Sequence, residues 1–140
     1  MMRLVLDTNV VIASQQSPNE QSPNRELLTR WVAGEFVWLY SQDTLREYTR
    51  KLLEKGIAEE KIRALLSRLM IAGESIYIAF FHEQNYPEDP DDIAFLLCAI
   101  NGKADYLVTY DRHLTKLNNQ FDFEICGPKP VNNHLNTLHG

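Results

Sequence analysis

The sequence predicts an α/β protein with a mostly parallel central sheet, and three observations carry that expectation. Short apolar runs recur at residues 4–6, 36–40, 76–80 and 106–109, each short enough to be a strand. Between them lie stretches whose apolar residues repeat at helical spacing, and alternation of this kind implies βαβ units. The first run, Leu4-Val5-Leu6, is continuously apolar, which fits a strand buried on both faces.

The elements follow in order. Leu4-Val5-Leu6 stops at Asp7, and residues 14–24, polar with two prolines, read as a loop. A helix is expected over 25–33, ending at Gly34, and a second strand over 36–40. Ser41 can cap a helix over 42–55 that ends at Gly56, with Leu45, Tyr48 and Leu52 on one stripe. Residues 58–72 form another helix, with Ile62, Leu65, Leu66 and Leu69 on one face, before a third strand at 76–80. In Asp89-Pro90-Asp91-Asp92, Asp89 can be the N-cap, Pro90 N1 and Asp92 N3 of a helix running to Gly102. A fourth strand at 106–109 breaks at Asp111, and 123–125 can add an edge strand. Residues 1–126 are read as one domain and 127–140 as a polar, loop-like C-terminal tail.

Composition narrows the functional classes. A chain of 140 residues, 44% apolar and 24% charged, can bury a core without disulfides, so collagen-like, coiled-coil and disordered readings are out. Lys+Arg number 14 against 19 Asp+Glu, a net charge of −5, which argues against a generic DNA-coating protein. It leaves room for an enzyme that holds a polyanion through bound cations. Cys98 lies in an apolar run and reads as a buried free thiol, and no Cys/His pairing has zinc spacing. No stretch approaches the roughly 18 apolar residues of a membrane span, and Asp7 interrupts any signal-peptide core, so a cytoplasmic location is expected.

The chemistry-bearing feature is the placement of acids. Asp7 and Asp111 follow the carboxyl ends of strands and Asp92 sits in a first helical turn, so all three are expected in one cleft at the strand ends. Converging carboxylates repel, and a divalent cation among them relieves the repulsion. Carboxylate oxygens suit Mg²⁺ or Mn²⁺, which can clamp a phosphodiester and lower the pKa of an attacking water.

Asp7-Thr8-Asn9 after the first strand, Ser41 with Leu45 and Glu47, Asp92 seven residues before Ala99, and Thr109-Tyr110-Asp111 together resemble the motif set of PIN-domain nucleases. Asp-Pro-Asp-Asp before the helix and the segment Gly102 to Thr109 after it are similar to the VapC-like branch, the toxin components of toxin–antitoxin systems. The resemblance covers roughly residues 3–126. It implies a three-layer α/β/α sandwich and Mg²⁺- or Mn²⁺-dependent hydrolysis of single-stranded RNA, leaving a 5′-phosphate. It assigns Asp7, Asp92, Asp111 and Glu47 as the acidic quartet, with Glu47 binding metal or orienting water. Asn9 and Thr109 would hold the carboxylates in place. A cognate antitoxin and a homodimer are the implied partners.

Simpler readings stand beside these. Glu47 has Lys51 at i+4 and could be half of a surface ion pair, and Asp91 rivals Asp92 as the ligand. Arg46, Arg50, Lys51 and Lys55 read equally as an RNA track or a solvated helix face, while Arg112 and Lys116, close to Asp111, are the preferred phosphate contacts. The four histidines lack ligand spacing. A dehalogenase-type phosphatase needs a second Asp two residues after Asp7, where Asn9 stands, and a receiver domain needs its phospho-acceptor after the third strand. The remaining alternative is a non-catalytic PIN scaffold that binds RNA or a protein.

Overall fold

A computed structural model describes residues 1–79 and 90–140. Five strands, β1 (Met2–Leu6), β2 (Phe36–Tyr40), β3 (Glu74–Ser75), β4 (Tyr106–Val108) and β5 (Glu124–Cys126), form one sheet in the order β3-β2-β1-β4-β5. Every pairing is parallel, as expected of an α/β chain. Leu4, Val5 and Leu6 are all fully buried. Since successive strand residues point to opposite faces, helices must cover both faces of the sheet.

The helices among the described residues are α1 (Thr8–Gln16), α2 (Pro23–Val32), α3 (Gln42–Glu54), α4 (Glu59–Ala72), α5 (Pro90–Gly102), α6 (Arg112–Thr115) and α7 (Pro128–His139). Ser41 caps α3 in a capping box with Thr44, and Gly34 and Gly56 follow α2 and α3 at φ +80° and +73°. The stripe of α3 is buried through Tyr48 and Leu52, and that of α4 through Ile62, Leu66 and Leu69. Trp31, Trp38, Tyr48 and Phe95 form a run of edge-to-face and tilted rings with centroids 4.9–5.7 Å apart. The Tyr48 hydroxyl donates to the carbonyl of Leu6, so this aromatic core braces the end of β1.

The order of the strands fixes where a site can form. The chain leaves β1 toward β2 and β3, then returns to β4 on the other side of β1. The carboxyl ends of β1 and β4 therefore flank the reversal point of the sheet, where crevices open in such folds.

Three sequence expectations are corrected. Residues 14–16 are not loop but the last turn of α1. Thr8, Val10, Val11, Ile12 and Ser14 are all buried, so that helix shows no one-sided stripe and escapes a periodicity reading. The third strand is Glu74–Ser75, with Ile76 adding one hydrogen bond to Tyr40, and residues 76–79 of the expected strand are not in it; a short edge strand limits unwanted pairing. The tail is helical: α7 packs on α2 and β4, with Val131 and Leu135 fully buried. Pro128 and Pro130 look like loop signals but fall in its first turn, where proline is tolerated. The expected cap at Asp89, together with Phe80 and His82, lies outside the described residues.

Candidate active site

Strand register builds the site. Leu6 pairs with Val108, so Asp7 and Thr109 emerge side by side from adjacent strands. The Asp7 N–H donates to the Val108 carbonyl at 2.8 Å. The Thr109 hydroxyl donates to Asp7 Oδ2 at 2.6 Å, and Asn9 Nδ2 donates to the same oxygen at 3.2 Å. Asp7 Oδ1 accepts from the Thr8 N–H at 2.8 Å and caps α1. These donors fix the orientation of the carboxylate.

Thr109 also ties in the second acid. Its Oγ1 accepts from the Asp111 N–H at 2.9 Å, while Asp111 Oδ1 accepts from the His113 N–H at 2.8 Å and caps α6. Asn9 Oδ1 accepts from the Tyr110 N–H at 3.4 Å. Asn9 and Thr109, expected to hold the carboxylates in place, hydrogen-bond to the Asp7 carboxylate and to the backbone N–H groups of Tyr110 and Asp111. The third acid, Asp92, is buried in the first turn of α5.

One carboxylate oxygen from each of Asp7, Asp92 and Asp111 lies within 4.8 Å of the other two. Asp7 and Asp92 are buried, and Asp111 is half-buried. The donors in this group are all hard carboxylate oxygens, a set that fits Mg²⁺ or Mn²⁺ and disfavours soft metals.

Glu47 and Asp91 stand apart from this group. Arg50 Nη2 donates to Glu47 Oε2 at 2.8 Å and to Asp91 Oδ2 at 3.0 Å, which ties α3 to α5 at the cleft wall. These two hydrogen bonds, Glu47 first, hold the Arg50 guanidinium pKa above its ordinary value. Lys51, the alternative ion-pair partner of Glu47 by spacing, lies 3.9 Å from both Asp91 and Glu54. The neighbours Asp91 and Asp92 diverge, one toward the cations of α3 and one toward Asp7 and Asp111.

A cleft of about 240 Å³ collects these groups: Asp7, Thr8, Asn9, Ile12, Glu47, Lys51, Lys55, Asp91, Asp92, Phe95 and Asp111 line it. Arg112 and Lys116, at the start and end of α6, are exposed and do not line it. Sequence reasoning undervalued Arg50, Lys51 and Lys55. The spacing of Arg50 to Glu47 was readable, but its contact with Asp91, 41 residues away, was not.

A family model of the PIN domain matches residues 3–113. No curated protein matches the chain. Among solved structures, a chain from the crystal structure of VapBC2 from Rickettsia felis, bound to a DNA fragment from their promoter, is similar in fold. The TM-score is 0.58 over 89% of this chain and 98% of that chain, at 17% sequence identity. No helix among the described residues is long and apolar enough to cross a membrane.

Proposed function

The chain belongs to the PIN domain family, and on that premise we propose that it is a Mg²⁺- or Mn²⁺-dependent endoribonuclease hydrolysing phosphodiester bonds of single-stranded RNA. The observation that carries the reading is the convergence of Asp7, Asp92 and Asp111 to within 4.8 Å at the carboxyl ends of parallel strands. The three carboxylates would hold the cation. The chemistry such an ion supplies when bound is a water of lowered pKa and neutralisation of phosphodiester charge. Glu47, held on the cleft wall by Arg50, orients the attacking water. Asn9 and Thr109 keep Asp7 aimed into the cleft.

The biological role proposed is that of a toxin. The likeness to a chain of the VapBC2 crystal structure supports a cognate antitoxin, whose Arg side chain would place its fork on the acidic cleft. A homodimer completes the proposal, and light scattering that finds a monomer at tens of micromolar contradicts it.

The direct test is incubation of end-labelled single-stranded RNA with the protein in Mn²⁺ or in EDTA. The reading expects internal cleavage with Mn²⁺, none in EDTA, and near-complete loss in Asp7→Asn. RNA that is bound but left intact in every divalent metal would favour a non-catalytic scaffold instead.

A further inference from the structure

The cleft carries a charge problem that three acids and a cation do not solve. Among the described residues five carboxylates line it (Asp7, Glu47, Asp91, Asp92 and Asp111), and a substrate phosphate must approach them as a further anion. Among the described residues two cations line the same cleft, Lys51 on α3 and Lys55 at its C-cap, one turn apart and hence on one face of that helix. Arg50, the nearest other cation on this helix, is already bonded to Glu47 and Asp91. Arg112 and Lys116 are not among the residues that line it.

From this arrangement, and resting on the ribonuclease reading above, we propose that Lys51 and Lys55 are the residues that hold the substrate's phosphate backbone beside the three acids. The lysine ammonium suits this task because it is a compact point charge on a long flexible stem, able to follow a moving phosphate. Lys51 approaches Asp91 and Glu54 only at 3.9 Å, and more than a third of its side chain is solvent-exposed. Such a loose pair is inexpensive to exchange for a phosphate. Lys55 closes α3 at its C-terminal cap and is exposed, while Lys51 is half-buried. A second depression, which includes Asp43 and Arg46 of α3, shares Glu47 and Asp91 with this one.

A salt titration separates phosphate contact from a structural role. Fluorescein-labelled single-stranded RNA is bound to wild type, to Lys51→Gln/Lys55→Gln and to Arg112→Gln/Lys116→Gln. Anisotropy is read at a fixed Ca²⁺ concentration, with the RNA checked as intact by gel. Each phosphate contact on a single strand contributes a slope of about −0.7 in log K against log salt, so losing two flattens the slope by about 1.4. Between 50 and 200 mM salt the wild-type affinity then falls roughly sevenfold more than that of the α3 pair. The α6 pair, which removes the same charge from residues that do not line the cleft, keeps the wild-type slope. Far-UV circular dichroism melts of the three proteins within a few degrees of one another show that folding is not what changed.

A flattened slope in the α3 pair alone supports the assignment. A wild-type slope in the α3 pair overturns it, as does flattening confined to the α6 pair. A wild type that fails to cut RNA with Mn²⁺ overturns the ribonuclease reading itself. A wild type that cuts while the α3 pair binds with unchanged slope overturns only the lysine assignment.

Discussion

Thr109 and Asp7 are joined by a 2.6 Å hydrogen bond from hydroxyl to carboxylate, although 102 residues separate them. The parallel register of β1 and β4 makes this contact unavoidable, because Leu6 opposite Val108 leaves the next residue of each strand adjacent. The same hydroxyl accepts the Asp111 N–H, so one fully buried side chain positions two of the three clustered acids.

Thr109→Val keeps the shape and removes both bonds. It leaves the buried Asp7 oxygen short of a donor and should cost about 1–3 kcal/mol by denaturant unfolding. Metal affinity should fall roughly 10–100-fold by Mn²⁺ titration, while Thr109→Ser stays close to wild type in both. An unchanged Mn²⁺ affinity in Thr109→Val would show that this hydroxyl positions nothing.

The C-terminal helix is part of the core rather than an appendage. Leu135 of α7 is fully buried, so Leu135→Ala should cost roughly 2–5 kcal/mol, read as a lowered urea midpoint. The exposed Leu138 on the same helix supplies the contrast, with Leu138→Ala near neutral. Equal effects at the two positions would contradict the packing described.

Cys98 should be inert. Burial pushes its thiol up to about 12, and that of the half-buried Cys126 to about 11. At pH 8 the thiolate fraction of Cys98 is on the order of 10⁻⁴, so iodoacetamide should label it only after unfolding. Mass spectrometry of native and urea-treated protein distinguishes the cases, and rapid native labelling of Cys98 would contradict its burial.

Acid should weaken the link between β1 and β3. The Arg3 guanidinium, hydrogen-bonded to Glu74 at 2.6 and 2.9 Å, lowers the Glu74 carboxyl pKa below its ordinary 4.5. A lowered folded value means the contribution is fully present above pH 4.5 and is lost as pH falls through the folded pKa. Melting temperature should therefore drop more steeply below pH 4.5 in wild type than in Glu74→Gln. The pair is substantially solvent-exposed, so the difference should be small and shrink further in high salt. Parallel curves would remove this pair from the acid response.

Much of the fold was legible because local signals agreed with the global one. The cap at Ser41, the glycines after α2 and α3 and the stripe of α3 all mark boundaries that the chain adopts. What escaped was set by tertiary context. Helix α1 is buried nearly all round and has no period to read, and α7 hides behind prolines that its first turn accommodates. At the site, the strand-end rule placed Asp7 and Asp111 in one region, and the motif order added Asp92. The bridge from Arg50 to Asp91 depends on how α3 meets α5, which no spacing encodes. Sequence proximity to Asp111 pointed to Arg112 and Lys116, whereas the cations that line the cleft are Lys51 and Lys55.

The central claim is that Asp7, Asp92 and Asp111 share one divalent cation, and thermal unfolding of wild type and Asp92→Asn, each with EDTA and with millimolar Mn²⁺, tests it most directly. A cation bound only by the folded state adds about 2.7 kcal/mol at a hundredfold excess over Kd, a rise of several degrees for a chain of this size. The account predicts that rise in wild type and its absence in Asp92→Asn, which should also melt higher than wild type in EDTA because one repelling charge is gone. If Asp92→Asn melts lower in EDTA and still gains the full Mn²⁺ increment, Asp92 is only a helix-terminal charge and the three acids do not form a metal site.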